Sequence, residues 1–466
     1  MEDINLHMFR EYDIRGVAGE DLTEELVCNL GRVFAAHLKA NSTKDKLSVA
    51  IGRDGRISSP ALAKSLAEGL CLGGVEVVDI GLAPTPTLYF ATHHFHTDAG
   101  IMLTGSHNPP DYNGLKMVRD NRPVYGEEIQ ALKKGLLAGL PPEAATAGTV
   151  RQEPILDIYL DRLVADFKPG RPMKVILDCG NGVTGVAAPG LMARLPSVEG
   201  EVLFPEVDGT FPNHHPDPTV PENLRAMRQR MDETGAELGI AFDGDGDRIG
   251  ALDEQGRVIW GDRLMILFGR DILKAQPGAM IIGDVKCSQL LFDAIGQAGG
   301  EPLMWKTGHS LVKAKMRETG APLAGEMSGH LFFADRYYGF DDALYAAVRL
   351  IELVAAQPTV ISERLLGLPD IFSTPELRIT CPDERKFQVM ERVLAEQRRL
   401  GSDFSDIDGV RVKVPGGWWL LRVSNTQPAL VARVEADSRE GLRKIVAEVA
   451  AILEREGVAF PSWEEA

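Results

Sequence analysis

The chain runs through one pattern three times, and that repetition limits its fold more than any single residue does. Each unit opens with a β-rich run ending at a polar, mostly glycine-bearing turn: Val49 to Gly55, Val175 to Gly182, and Ile281 to Lys286. Helix-like stretches follow, such as Pro60 to Leu72 and Leu290 to Ala298. A second strand-like run then ends in a loop dense in reactive side chains. Strands alternating with helices predict α/β units, whose ligands gather at loops beyond the strand ends. Related units with different loop chemistry predict one cleft assembled from several domains.

At 466 residues the chain is too long for a single core. The stretch Leu140 to Gly148 reads as a linker by its Pro, Gly and small residues, a turn at Asp253 to Gly256 suggests a second junction, and a third falls between Pro358 and Pro375. The expected domains are 1–150, 151–255, 256–368 and 369–466. The last differs from the others: strand 376–381, helix 384–399, strands near 409–414, 418–424 and 430–435, and helix 439–455. That order describes a small α+β domain with its helices on one sheet face. Adjacent strand residues face opposite ways, so at least one of Trp418 and Trp419 is expected to pack in a core rather than stack on a sugar.

Composition narrows the function classes. With 44% hydrophobic and 25% charged residues, the chain reads as soluble and globular. The start, Met1-Glu2-Asp3-Ile4-Asn5, has no basic or apolar signal segment, and no apolar run approaches bilayer length, so a cytoplasmic location without membrane association is expected. Five scattered cysteines, never in CxxC spacing, read as reduced thiols. A net charge of −17 argues against nucleic acid. It leaves room for a small anionic ligand where cations converge locally.

The loops carry the chemistry. Thr104-Gly105-Ser106-His107-Asn108-Pro109 offers one hydroxyl nucleophile after the apolar run Ala99 to Leu103, with His107 as a proton carrier beside it and Lys116 farther on. A turn or capping serine is the plainer alternative. Phe242-Asp243-Gly244-Asp245-Gly246-Asp247-Arg248 offers three alternating carboxylates, which an extended backbone would present on one side. Close carboxylates need a cation, and oxygen ligands of this kind suit Mg²⁺. An EF-hand is the competing metal reading, set aside here in favour of a Mg²⁺ site. Glu326 and Ser328 can accept from and donate to vicinal sugar hydroxyls, although a simple glycine turn would look the same. Arg422-Val423-Ser424-Asn425-Thr426 has the make-up of a phosphate cradle. Arg15, Lys286, Lys306 and His309 are further cations that could complete an anion site.

These motifs, in this order and over nearly the whole length, resemble the α-D-phosphohexomutase superfamily, most closely its phosphomannomutase/phosphoglucomutase group. Phe9-Arg-Glu-Tyr12-Asp-Ile-Arg15-Gly16, Gly52-Arg-Asp-Gly-Arg56 and Asp178-Cys-Gly-Asn-Gly182 belong to the same match. The resemblance implies three related α/β domains with mixed sheets and a C-terminal α+β domain like the TATA-binding-protein fold, arranged around a central cleft. It implies that Ser106 carries phosphate, that Mg²⁺ binds Asp243, Asp245, Asp247 and the serine phosphate, and that Glu326 and Ser328 hold the sugar. Arg422, Ser424, Asn425 and Thr426 would grip the substrate's own phosphate. Tyr12, Arg15, Arg248, Lys286, His309 and His330 would complete the site.

The implied reaction moves phosphate between O1 and O6 of mannose and glucose phosphates through a hexose 1,6-bisphosphate. Lys116, His107, Arg15 and His330 are the candidate general bases. Phosphorylated hexoses are the expected partners, and the expected state is a monomer or weak homodimer. Met327, where phosphoglucosamine mutases usually carry glutamine, favours mannose and glucose over glucosamine. A phosphoglucosamine mutase, a metal-dependent sugar phosphatase and a non-catalytic sugar-phosphate-binding protein are the alternatives.

Overall fold

A computed structural model describes residues 4–425, 427–461 and 463. Its first three sheets are built on one plan. In each, a central strand has a parallel neighbour on both sides, and the third strand of the unit then pairs antiparallel with a fourth. The central strands are Ser48–Arg53, Met173–Asp178 and Met280–Asp284. Their flanking parallel partners are Glu76–Leu82 with Ala99–Leu103, Val198–Leu203 with Leu238–Phe242, and Glu301–Trp305 with Leu323–Gly325. The antiparallel fourth strands are Tyr112–Arg119, Ile249–Leu252 and Leu331–Phe333. All three sheets are therefore mixed.

This plan explains why reactive residues recur at one place in the repeat. The serine, aspartate and Glu326–His330 loops all connect the third strand to the fourth. A turn there faces the same end of each sheet, so three units packed together can aim three loops into one space. The apolar third strands Ala99–Leu103 and Leu238–Phe242 are buried throughout and fix the depth from which two of those loops emerge. One continuous apolar cluster joins the second and third units and takes in Leu88, Tyr89 and Phe90 from the first.

Two edges extend the units slightly. Val150–Gln152 pairs with Glu76–Leu82 at the rim of the first sheet. The turn at Asp253 to Gly256 lies inside a hairpin of the second sheet, between Ile249–Leu252 and Val258–Ile259.

The fourth sheet is antiparallel, with helices Asp383–Leu400 and Arg439–Arg455 on one face. Strand alternation sends Trp419 into that core and Trp418 to the opposite face, where it packs with Leu420 against Val285 of the third unit. Both tryptophans are buried, so neither forms a sugar platform. Short strands at Phe372–Ser373 and Phe404–Ser405 extend the expected order. All five cysteines are free thiols. Among the described residues, no helix is long and apolar enough to cross a membrane.

Candidate active site

Ser106 stands at the start of the site. It is buried, and its Oγ donates to Asp243 Oδ2 at 3.0 Å, across 137 residues of sequence. His107 Nδ1 lies 3.1 Å from the same oxygen. Burial, and then the charges of Arg248, Arg15 and Lys116, push the His107 imidazole well below its ordinary pKa, so it is neutral near pH 7.

The three aspartates do converge, but by a tight turn rather than by extended alternation. Asp243 Oδ1 accepts from the backbone N–H groups of Gly246 (3.0 Å), Asp247 (3.1 Å) and Arg248 (3.1 Å), which curls the loop around it. Gly246 makes the curl at φ +78°, where a side chain is disfavoured. Gly244 permits close approach, since a Cβ there would lie 2.4 Å from the Ser106 carbonyl oxygen.

All three carboxylates are fully buried, and their ligand oxygens lie within 4.8 Å of one another. Lys116 reaches across from the first unit, with Nζ 2.7 Å from Asp245 Oδ2 and also against Asp247 Oδ2. Burial and the neighbouring Asp245 and Asp247 push the Asp243 carboxyl well above the usual range. At Asp245 burial acts the same way, but Lys116 outweighs it and holds that carboxyl below the usual range. Lys116 itself is desolvated, yet the three aspartates raise its pKa, so its proton is firmly held. Asp245 Oδ1 and Asp247 Oδ1 are buried without a hydrogen-bond partner. Three buried carboxylates with two spare oxygens fit a divalent cation.

The Glu326–His330 loop packs directly on this cluster. His330 Nδ1 lies 3.6 Å from Asp247 Oδ1 and 3.1 Å from Asp341 Oδ2, and Arg248 Nε donates to His330 Nε2 at 2.9 Å. An acceptor at Nε2 requires the proton at Nδ1, facing Asp341. His309 stacks on His330 with ring centroids 5.6 Å apart. Glu326 Oε2 accepts from Ser328 Oγ at 3.1 Å, and Oε1 accepts from Gly308 N at 2.9 Å.

The Arg422–Asn425 segment closes the ring from the fourth unit. Arg422 Nε donates to Asp408 Oδ2 at 2.9 Å, and Asn425 donates to the Tyr12 hydroxyl, which itself donates to the Thr307 carbonyl at 2.8 Å. Ser424 Oγ accepts from Gln427 N at 3.1 Å. Lys286 pairs with Glu376 at 2.9 Å. Burial disfavours both charges, but the pairing raises the lysine, and Lys286 with Arg378 pulls Glu376 down to about 2. Arg15 is held by Asp13 at 2.6 Å and donates to Asn108 Oδ1 at 3.2 Å. Lys306 is exposed. Thr426 lies outside the described residues.

Sequence reasoning missed Asp341 and Asp408. Asp341 is fully buried among His330, His309 and Lys313, whose Nζ is 2.8 Å away. Burial would raise its carboxyl, but Lys313 and the two imidazoles hold it well below the usual range. Its only sequence signal was an Asp-Asp pair ahead of a helix, which reads as a cap; Asp342 does cap that helix.

Comparison with known proteins agrees with this geometry. Models of the phosphoglucomutase/phosphomannomutase family match all along the chain: α/β/α domain I over residues 6–138, domain II over 157–256, domain III over 260–372 and the C-terminal domain over 376–452. A Pseudomonas aeruginosa phosphomannomutase/phosphoglucomutase is 46% identical over 438 residues, covering 94% of this chain and 93% of its own. A Neisseria gonorrhoeae phosphoglucomutase is 44% identical over 461 residues, covering 97% of this chain and 98% of its own. The crystal structure of a Burkholderia thailandensis phosphoglucomutase/phosphomannomutase family protein superimposes with a TM-score of 0.91 at 44% identity, covering 99% of this chain and 100% of that one. The chain belongs to the phosphoglucomutase/phosphomannomutase family, within the α-D-phosphohexomutase superfamily of isomerases.

Proposed function

We propose that this protein reversibly transfers a phosphoryl group between O1 and O6 of glucose and mannose phosphates, with Ser106 as the covalent carrier. The observation that carries the reading is the placement of Ser106 Oγ, buried and 3.0 Å from Asp243 Oδ2 in a carboxylate cluster of another unit. A lone turn serine has no reason to sit there. The names of the relatives support hexose phosphates as substrates.

Asp243, Asp245 and Asp247, with the serine phosphate, would hold Mg²⁺, which offsets charge on the transferring group when bound. The protein's own residues do the rest. In the first half-reaction the P–Oγ bond of phosphoserine breaks as the free sugar hydroxyl bonds to phosphorus, and the hydroxyl proton passes to a base. The resulting 1,6-bisphosphate turns over, and its other phosphoryl returns to Ser106 Oγ as the matching sugar O–P bond breaks and the base gives its proton back to the released sugar oxygen. Arg422, Ser424, Asn425 and Thr426 grip whichever phosphate is not reacting, while Glu326 and Ser328 read the ring hydroxyls.

Among the four candidate bases, the Lys116 proton is held by carboxylates and Arg15 is a guanidinium, so neither gives up a proton readily. His107 faces Ser106 Oγ. We assign the substrate's proton to His330, which shares a loop with Glu326 and Ser328; its Nδ1 proton faces Asp341, and its Nε2 becomes the acceptor when the sugar hydroxyl takes the place of Arg248 Nε there. A phosphatase acting through an Asp243 phosphoenzyme is disfavoured, because Asp243 Oδ1 accepts from three backbone N–H groups and Oδ2 accepts from Ser106 Oγ.

Treatment with glucose 1,6-bisphosphate and Mg²⁺ should add one phosphate, mapped to Ser106 by mass spectrometry. Ser106→Ala should remain folded and lose nearly all mutase activity. Phosphate on an aspartate, release of inorganic phosphate as the main product, or full activity in the alanine variant would each overturn the assignment.

A further inference from the structure

The serine loop is clamped from behind by a residue that the proposed chemistry does not use. Arg56 is buried at 2% exposure, and its terminal nitrogens donate to three backbone carbonyls of the loop and to one at the start of the strand that follows. Nη2 binds those of Ser106 (2.8 Å) and Asn108 (2.7 Å), and Nη1 binds those of Tyr112 (2.9 Å) and Pro109. Nε lies 3.2 Å from Asp54 Oδ2. Asp54 also accepts from Gly105 N at 3.0 Å, so the pair grips the loop through both its carbonyls and an amide. A planar guanidinium can serve this many carbonyls at fixed angles, which an ammonium cannot.

The surroundings leave the loop little freedom. A Cβ on Gly105 would lie 2.4 Å from Arg56 Cζ, so the loop backbone rests directly on the guanidinium. From the second unit, the Phe211 ring sits 5.5 Å from Arg56 Cζ, and His215 Nε2 bonds the His107 carbonyl. Ser106 itself stands at φ +50°, a left-handed conformation that a residue with a side chain keeps only when its neighbours impose it. Carbonyls of the loop thus face Arg56, while the Ser106 hydroxyl faces Asp243.

We propose that Arg56, held by Asp54, is a positioning residue for the phosphoryl carrier. The inference rests on Ser106 being that carrier. Such a serine is donor in one half-reaction and acceptor in the other, and it alternates between a dianionic phosphate and a neutral hydroxyl beside three aspartates. Loop geometry set by those charges would shift with each transfer. The Arg56–Asp54 pair keeps its own charge throughout, so the loop is anchored to something that does not change. Oγ then occupies one place for both transfers.

Rapid-quench intact-mass measurements with Mg²⁺ and glucose 1,6-bisphosphate test this on the full-length protein, alongside steady-state kinetics with glucose 1-phosphate. In Arg56→Lys, the rate of Ser106 phosphorylation and kcat should fall together by about 10²-fold, the scale of a small misplacement of a reacting group. KM should stay within about threefold, since the groups proposed to hold the substrate are untouched. Asp54→Asn, which leaves the guanidinium in place and weakens its anchor, should show the same split at about tenfold and keeps the test open if the lysine variant does not fold. Wild-type phosphorylation rates in a folded variant, or a rise in KM with kcat unchanged, would overturn the positioning role. Absence of phosphate from wild-type Ser106 would instead overturn the carrier reading, and this proposal with it.

Discussion

Lys116 Nζ lies 2.7 Å from Asp245 Oδ2 and also touches Asp247, so a buried ammonium from the first unit partly neutralises a carboxylate cluster built by the second. One bonded ammonium, even with the Arg248 guanidinium nearby, leaves three carboxylates short of balance, and a divalent ion would add the missing positive charge. Lys116→Met should therefore destabilise the metal-free protein by about 3–5 kcal/mol, the cost of leaving buried charge unpaired. Mg²⁺ should raise the melting temperature of the variant more than that of wild type. Calorimetry in chelator and in Mg²⁺ gives both numbers. Equal Mg²⁺ responses would show that Lys116 and the ion do not share these carboxylates.

The parts of this site that were legible in sequence are those whose chemistry is contiguous. Ser106-His107, the three alternating aspartates and Glu326-Met327-Ser328 each sit in one loop, and the repeat places those loops at equivalent strand ends. Pairings between units were not legible, because nothing local records them. Asn425 meeting Tyr12 across 413 residues is one such case, and Asp341 beneath His330 is another. The aspartate loop shows a subtler failure: alternation suggested an extended strand, but Gly246 at φ +78° and three N–H bonds to Asp243 Oδ1 make a turn instead. The spacing was informative even though the backbone shape read from it was wrong.

Arg422 is tied through Nε to Asp408, which also accepts from Thr307 N at 3.0 Å. That tether orients the guanidinium, and in the proposed function its terminal nitrogens would meet the substrate's phosphate. Arg422→Ala should raise KM for the hexose monophosphate by roughly tenfold to hundredfold, equivalent to about 1.5–3 kcal/mol for a charge-assisted contact. The Ser106 phosphate, held in another unit, should be acquired by the same route as in wild type. An unchanged KM would place the cradle elsewhere.

Asp342 gives a stability signal that is separate from catalysis. Burial pushes its carboxyl up to about 6, although Tyr345 N, the Tyr337 hydroxyl and the Tyr159 hydroxyl, all bonded at 2.9 Å, act to lower it. A carboxyl raised above its unfolded value stabilises the fold when protonated and loses that contribution as pH rises through about 6. Asp342→Asn keeps an acceptor for the helix cap and removes the ionisation. It should melt higher than wild type at pH 8, by about 1–2 kcal/mol, with the gap shrinking toward pH 5. A gap independent of pH would mean that Asp342 does not titrate in this range.

Met327 was the residue that favoured mannose and glucose over glucosamine, and the structure gives it a different neighbour. Its sulfur lies against the Arg433 guanidinium of the fourth unit, and its backbone N–H donates to Asp284 Oδ1 at 3.2 Å. Arg433 in turn donates to the Lys286 carbonyl. Met327 thus belongs to the contact between the third and fourth units, whereas Glu326 and Ser328 are bonded to each other. A side chain so placed should affect how the fourth unit seats rather than sugar recognition at C2. Glucose and mannose differ only at C2, so a site that reads the other ring hydroxyls should convert both. A charged amino group at C2 would be left without a partner in a closed cleft and should be rejected by a larger factor. Met327→Gln should lower kcat/KM for glucose and mannose 1-phosphates in parallel without creating a preference for glucosamine 1-phosphate. Side-by-side kinetics with all three phosphates, each with Mg²⁺ and its bisphosphate, decide the point. A switch toward glucosamine in the glutamine variant would show that Met327 reads C2 directly, and a wild-type preference for glucosamine would move the protein's substrate to the amino sugar.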